Sequence, residues 1–386
     1  HVGYGLPIGG VLATENAIIP YAVGVDIGCR VHLSILPIEV DAKYFKENQK
    51  YLESVLLENT AFGMLHEMKN NTEYYEKWSH EFRYVPNTAF NRNKSGDVHA
   101  IMDDPRWKQL PKELNFQSQL TETGHYQLGS SGGGNHFVEF GIIEYVDQFD
   151  PFENMKNAKK YLALLSHSGS RGVGAKIADY YTNLAKELCW LPDEAKHLAW
   201  LDMNKEGQEY WMAMNLAGDY AKANHEIIHQ RILNTLQVQA INTIQNHHNF
   251  CWEEEYDMGD GLKKYYVHRK GATPAKKGEL GFIPGSMGDY GYVVIGRGNE
   301  ESLNSASHGA GRQMSRKKAI DNISKSDLRS YIAKHKVHLI GGGLDEAPQA
   351  YKRIEQVMKA QEDLVEPMMQ FTPKIVRMAS DGSSDD

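Results

Sequence analysis

Residues 23–38 read VGVDIGCRVHLSILPI: two glycines frame Asp26 and Cys29, and a run rich in β-branched and aliphatic residues follows. The run has the composition of a strand, and the glycines mark tight turns at its entrance, so Asp26 and Cys29 are expected at a strand end. An aspartate and a cysteine three residues apart place a hard and a soft metal ligand within one turn. A buried structural cysteine beside a capping aspartate would leave the same local pattern.

The same situation recurs along the chain. His136 lies in GSSGGGNHFVEFG (residues 129–141), His167 in LSHSGSRG (165–172), His248 in NHHNFC (246–251) and His308 in SASHGAGR (305–312). Glycine this dense makes sense where backbone must approach a ligand closely. Taken singly, each frame has a plainer explanation, such as a loop carrying a satisfied histidine or a solvated helix cap. Asp26, Cys29, His136, His167 and His248 together would suit zinc, iron, cobalt or manganese, and softness alone leans to zinc. His308 has small neighbours and no metal role, which favours a nucleophile. Arg171, in the frame of His167, and the basic segment of Arg269, Lys270, Lys276 and Lys277 read as phosphate contacts, against the commoner alternative of a solvated charged face.

Around these frames the chain is ordinary. It has 386 residues, 41% hydrophobic and 24% charged, enough for a large core. The three cysteines are too few for a disulfide framework, and no apolar run reaches membrane length, so the expectation is a cytoplasmic protein with no membrane contact. A net charge of -8 argues against broad adhesion to nucleic acid, though not against a local basic groove. The chain starts at His1, directly inside a motif, so some natural N-terminal sequence is expected to be missing; residues 380–386 read as an acidic tail.

Helix is expected over about 43–70 and 152–165, with the longest helical signal over 204–247, ending near His247 and His248. There Trp211, Met214, Ala217, Ala221 and Ile228 face inward and Gly218 is a weak point. Residues 75–120 lack a clear period and read as an excursion. Strands are expected in KYYVHRKG and GYVVIG, then a closing helix over about 346–364 and a strand over about 374–378. No repeat or linker divides the chain, so the fold class is α+β, a single mixed domain over 1–379 with glycine-rich loops around a central metal site.

In chain order the frames HVGYGLPIGG, VGVDIGCR, GGGNHFVEFG, HSGSRGVG, HHNF, VHRKGAT, IPGSMG and SHGAGR closely resemble the RtcB-type RNA ligases, the GTP-dependent tRNA-splicing ligase family. The resemblance implies the RtcB-like fold and an enzyme with two manganese ions. Such an enzyme joins RNA 3'-phosphate or 2',3'-cyclic phosphate ends to 5'-hydroxyl ends, in RNA repair or tRNA splicing. It implies Asp26, Cys29, His136, His167 and His248 as metal ligands, with Cys29 bridging, and His308 as the catalytic histidine that GTP guanylylates. Guanine-nucleotide contacts would come from Asn135, His136, Phe137, Val138 and Glu139; from His248 and Asn249; from Pro284, Gly285, Ser286 and Met287; and from His308, Gly309, Ala310 and Gly311. RNA is the implied partner, and an activating protein partner is left open. The rival readings are a metal-dependent phosphoesterase that opens cyclic phosphates without sealing, and a non-catalytic RNA-binding relative.

Four positions depart from the family pattern. An aspartate expected to orient His308 would precede His1. Met378 stands where a guanine-reading lysine is usual, with Lys374 and Arg377 nearby. Gly291 replaces a serine, and the Asn-Arg pair of the long helix reads Asn224-His225.

Overall fold

The computed structural model describes residues 3, 5–63, 100–146, 159–259 and 261–379. Arg30–Glu39, the strand expected from the opening stretch, is ten residues long and buried on both sides over most of its length. It lies inside an eight-stranded sheet whose path runs Leu280–Ile283, Gly291–Gly296, Val365–Met378, Phe137–Tyr145, Tyr161–Ser168, Arg30–Glu39, Asn242–His247. The neighbours are antiparallel, and His338–Ile340 adds a short parallel pairing to Val365–Met378.

The two ends of this path meet. The Asn246 side chain accepts from Phe282 N at 2.7 Å and donates to Phe282 O at 3.1 Å, so an amide side chain stands in for a rung between the end strands. Alternation then sorts the residues by face. Val31, Leu33, Ile35, Ala163 and Leu165 enter one core with Phe282 and Met369. Leu36, Leu162 and Leu164 pack on the opposite face against Leu52, Val55 and Leu56 of the helix Tyr44–Asn59 and Ile228 and Ile232 of the helix Glu206–Leu236. A third core joins Glu206–Leu236 to the helices Arg171–Leu188 and Phe116–Gln127. A smaller sheet orders Gly10–Thr14, Leu262–Lys270 and Asn249–Asp257.

Several expectations change. The long helix ends at Leu236, where Gln237 turns left-handed (φ 57°), and residues 242–247 form a strand, so His247 and His248 sit at a strand end. Ile241, Thr243 and Ile244 carry the β-branching that the helical spacing had masked. Residues 161–165 are central strand because YLALL is buried on both faces, while 152–158 of that expected helix lie outside the described residues. The closing helix shrinks to Ile354–Lys359, since Pro348 falls in a run of short turns. The final strand is much longer than expected, Val365–Met378, with a register shift at Pro373. The supposed excursion ends in a regular helix, Phe116–Gln127; its part up to residue 99 lies outside the described residues, as do 64–70 and the tail 380–386. Gly218 is a point of close approach, for a Cβ there would lie 2.8 Å from the Phe250 ring.

Candidate active site

Strand register brings the distant frames together. Val31 and Phe137 both pair with His167, and Arg30 pairs with Ser168 on one side and His247 on the other. Cys29, His136 and His248 each sit one residue beyond a strand terminus, so with His167 they share one end of the sheet. Two backbone bonds tie the loop of Asp26 and Cys29 to the His248 segment, Gly28 N to Asn249 O (2.8 Å) and His248 N to Cys29 O (3.0 Å). Gly28 holds φ +70° and lies against Gly218 of the long helix, where a Cβ would come 2.9 Å from Gly218 Cα. Gly169 is needed for another reason: a Cβ there would fall 2.0 Å from an Asp26 carboxylate oxygen.

The ligand atoms form two trios that share one sulfur. Asp26, Cys29 and His136 offer one set, and Cys29, His167 and His248 the other, each with its atoms within 4.8 Å of one another. Cys29 Sγ lies 3.3 Å from His167 Nε2 and 3.7 Å from His136 Nε2; His136 Nε2 lies 3.0 Å from Asp26 Oδ2. His167 Nε2 and His248 Nε2 face each other at 3.3 Å. His167 Nδ1 donates to Asn135 O at 3.0 Å, which leaves its Nε2 a lone pair directed at the other donors. The buried Nδ1 atoms of His136 and His248 have no hydrogen-bond partner among the described residues. A cation would satisfy this convergence of lone pairs, and the mixed N, O and S donors fit a transition metal.

Burial, joined by the charge of Asp26, pushes the Cys29 thiol well above its usual range. A thiolate there would be made by a bound cation. Burial also raises the Asp26 carboxyl, yet the hydrogen bond and charge of His136 outweigh it and the net shift is downward. Burial and the neighbouring His136 push His167 down to about 3.

His308 follows the short strand Ser305–Ser307, which pairs with Ala272–Pro274. Its Nδ1 donates to Gly271 O at 2.5 Å, so in the neutral ring Nε2 carries the lone pair. Burial lowers its pKa to about 4 against the pull of that carbonyl. Its ring lies 4.5 Å from that of His248, centroid to centroid. Asn249 connects the two halves, accepting from Gly271 N (2.8 Å) and donating to Asp26 O (3.2 Å).

A cleft of about 970 Å³ contains all of this. Asp26, Cys29, Asn135, His136, Phe137, His167, His248, Asn249, Pro284, Gly285, Ser286, Met287, His308, Gly309, Ala310 and Gly311 line it. Val138 and Glu139 do not: Val138 is in the core, and Glu139 is 5% exposed, its carboxyl raised well above the usual range by burial. Met378 reaches the cleft, paired with Phe137 across the sheet. Arg377 turns away to Leu56 O and Thr60 O, so it does not take over a base-reading role. Gly291 faces the Phe282 ring, which a Cβ would meet at 2.4 Å.

Arg269 is corrected by the structure. Fully buried, it forms a two-pronged pair with Glu254 (3.1 and 2.9 Å) and bonds Ser305 Oγ, so it cannot reach a phosphate; its neighbour Lys270 lines the cleft. Arg171 lines the cleft but donates to Gly63 O at 2.6 Å. The sequence reading passed over Arg316 and Glu346, which also line the cleft and bond each other at 3.0 Å. Their signal was the spacing of Arg312 and Arg316, four residues apart, both bound to Glu346.

The fold and cleft define an α+β protein with a histidine-rich, metal-competent site at one end of a large sheet. The family model described as tRNA-splicing ligase RtcB matches residues 1–379, and the chain belongs to that family. It is 33% identical to the RNA-splicing ligase RtcB of Escherichia coli K12, over 95% of this chain and 85% of the relative. It is 30% identical to the tRNA-splicing ligase RtcB of Nanoarchaeum equitans, over 94% and 83%, and 30% identical to that of Methanococcus maripaludis, over 92% and 81%.

Proposed function

We propose that this chain is an RNA ligase, one ligase domain over residues 1–379, joining RNA 3'-phosphate or 2',3'-cyclic phosphate ends to 5'-hydroxyl ends in tRNA splicing or RNA repair. The observation that carries the reading is the shared sulfur: two ligand trios meet at Cys29, beside an imidazole whose Nε2 lone pair is available. Asp26, Cys29 and His136 would hold one manganese ion, and Cys29, His167 and His248 a second. Bound there, the ions would neutralise charge that builds on phosphate oxygens.

His308 acts as the nucleophile. Gly271 O fixes its tautomer, and burial keeps the ring neutral well below physiological pH. Nε2 attacks the α-phosphorus of GTP, the bond to the β-phosphate oxygen breaks, and pyrophosphate leaves with GMP held on the ring. An oxygen of the RNA 3'-phosphate then takes the GMP unit, breaking the N–P bond. The 5'-hydroxyl of the second RNA attacks the activated 3'-phosphorus, gives up its proton, and expels GMP. A cyclic phosphate is first opened by water to a 3'-phosphate. Gly309, Ala310 and Gly311 leave room beside the ring for the nucleotide.

Three free cysteines fit a reducing compartment such as the cytoplasm. No helix among the described residues is long and apolar enough to cross a membrane.

Incubation with α-labelled GTP and manganese tests the reading: label stays on the wild-type protein through denaturation and is absent from His308→Ala. A His308→Ala protein that still takes up label would overturn it. At the base end Met378 has no hydrogen-bond donor to offer, so Met378→Lys is expected to raise the preference for GTP over ATP by roughly tenfold, the order of one charge-assisted hydrogen bond. Competition between the two labelled nucleotides measures it.

A further inference from the structure

Behind His167 the sheet carries a line of buried histidines and serines that the proposed mechanism does not use. Alternation along Tyr161–Ser168 sends His167 to the cleft and Ser166 and Ser168 to the other face, against the helix Glu206–Leu236. His225 and His229 stand one turn apart on that helix. His225 Nε2 is 3.0 Å from Ser168 O, and His225 Nδ1 is 2.6 Å from Ser166 Oγ. Ser166 Oγ is also 2.8 Å from His229 Nε2, and His229 Nδ1 is 2.8 Å from Ser34 Oγ. His32 ends the line, its Nε2 3.5 Å from Ser34 Oγ and its ring stacked on His229 at 3.9 Å between centroids.

Donors and acceptors allow one arrangement of protons here. A carbonyl can only accept, so His225 Nε2 carries a hydrogen and, in a neutral ring, Nδ1 accepts. The Ser166 hydroxyl must therefore donate to His225, and its oxygen accepts from His229 Nε2. His229 Nδ1 then accepts from Ser34, whose oxygen faces His32 Nε2. Every bond points the same way, and all three rings are nearly fully buried, which keeps them neutral. Chains of this kind polarise one another, and satisfied buried networks hold one geometry.

We infer that His225, His229, Ser166 and Ser34 form a positioning relay: by gripping the peptide on the far side of His167, they set the direction in which that imidazole presents Nε2 to a metal. Asn224 reinforces the grip on the neighbouring loop, accepting from Gly129 N (2.6 Å) and Ser130 N (3.1 Å) and donating to Ser130 O (2.8 Å). None of these side chains lines the cleft. The inference rests on the reading of His167 as a ligand.

The test is a titration of the metal-stripped full chain with Co²⁺, followed by the visible bands of the bound ion, and with Mn²⁺, followed by calorimetry. His225→Leu is expected to weaken Mn²⁺ binding roughly 10–100-fold, the usual size for partners that orient a ligand, and to shift the cobalt bands. His225→Gln, which can keep a donor toward Ser168 O, should recover part of both; a residue that only supports the fold would leave the bands unmoved. If His225→Leu does not fold, Ser166→Ala decides, since it removes the link between the two rings with the least change of volume. A folded variant with unchanged bands and Mn²⁺ affinity within twofold of wild type overturns the relay. His167→Ala separates the two readings: should it bind metal like wild type, the ligand assignment itself fails.

Discussion

The histidines in front of the strand Tyr161–Ser168 and those behind it are the same residue type, all buried except the half-buried His308, and they differ in what their nitrogens meet. Behind it, His225 and His229 engage both ring nitrogens with serines and a carbonyl. In front, His167 and His308 each give one nitrogen to a carbonyl and turn the other into the cleft, where that of His167 meets Cys29 Sγ and His248 Nε2. Burial lowers the pKa on both faces, so a depressed pKa does not mark the functional face. The nitrogen turned into the cleft does.

The largest effect that could break this contrast is at Cys29. Because both trios use its sulfur, Cys29→Ala is expected to weaken metal binding at both sites, by more than the roughly 100-fold that follows loss of a partner outside the ligand set. Metal content after gel filtration reads it, and a variant that keeps one tightly bound ion would mean that the trios do not share a ligand. Gly169→Ala should be next. Its methyl group would collide with the Asp26 carboxylate, so we expect metal affinity to fall about 10–100-fold while far-UV circular dichroism stays unchanged. Unaltered affinity would show that Asp26 is not held where it matters.

The smallest effect lies behind the strand. Burial holds His32, His225 and His229 well below the ordinary value near about 6.5, so the unfolded chain binds more protons than the folded one as pH drops past that value. Their contribution to stability is complete above pH of about 6.5 and is lost as pH falls through the folded-state values. The urea midpoint should therefore decline from pH 7 toward 5, and His229→Gln should reduce that slope by about one proton. A wild-type midpoint flat over this range would refute the assignment of neutral rings.

Much of the front face was legible in the sequence because Asp26, Cys29, His136 and His167 sit in glycine frames, and a side chain in place of Gly28 or Gly169 would collide with its neighbours. The face behind was not legible. Ser34, Ser166, His225 and His229 are spread over nearly two hundred residues and are ordinary in their local context, so only strand register and helix packing make them neighbours. The same limit hid the strand at 242–247, whose apolar spacing continues that of the helix before it, and it hid the burial of Arg269, whose partner Glu254 lies across a hairpin. Spacing reports one element at a time, whereas salt bridges and relays join several.

Asn246 bears on a hazard of another kind. Large sheets that end in open edges can recruit strands from other molecules and build fibrils or tangled dimers. Here one carboxamide occupies the peptide group of Phe282, so at that rung an incoming chain finds neither N–H nor C=O to capture. A single polar side chain thereby closes the seam of the sheet at that rung.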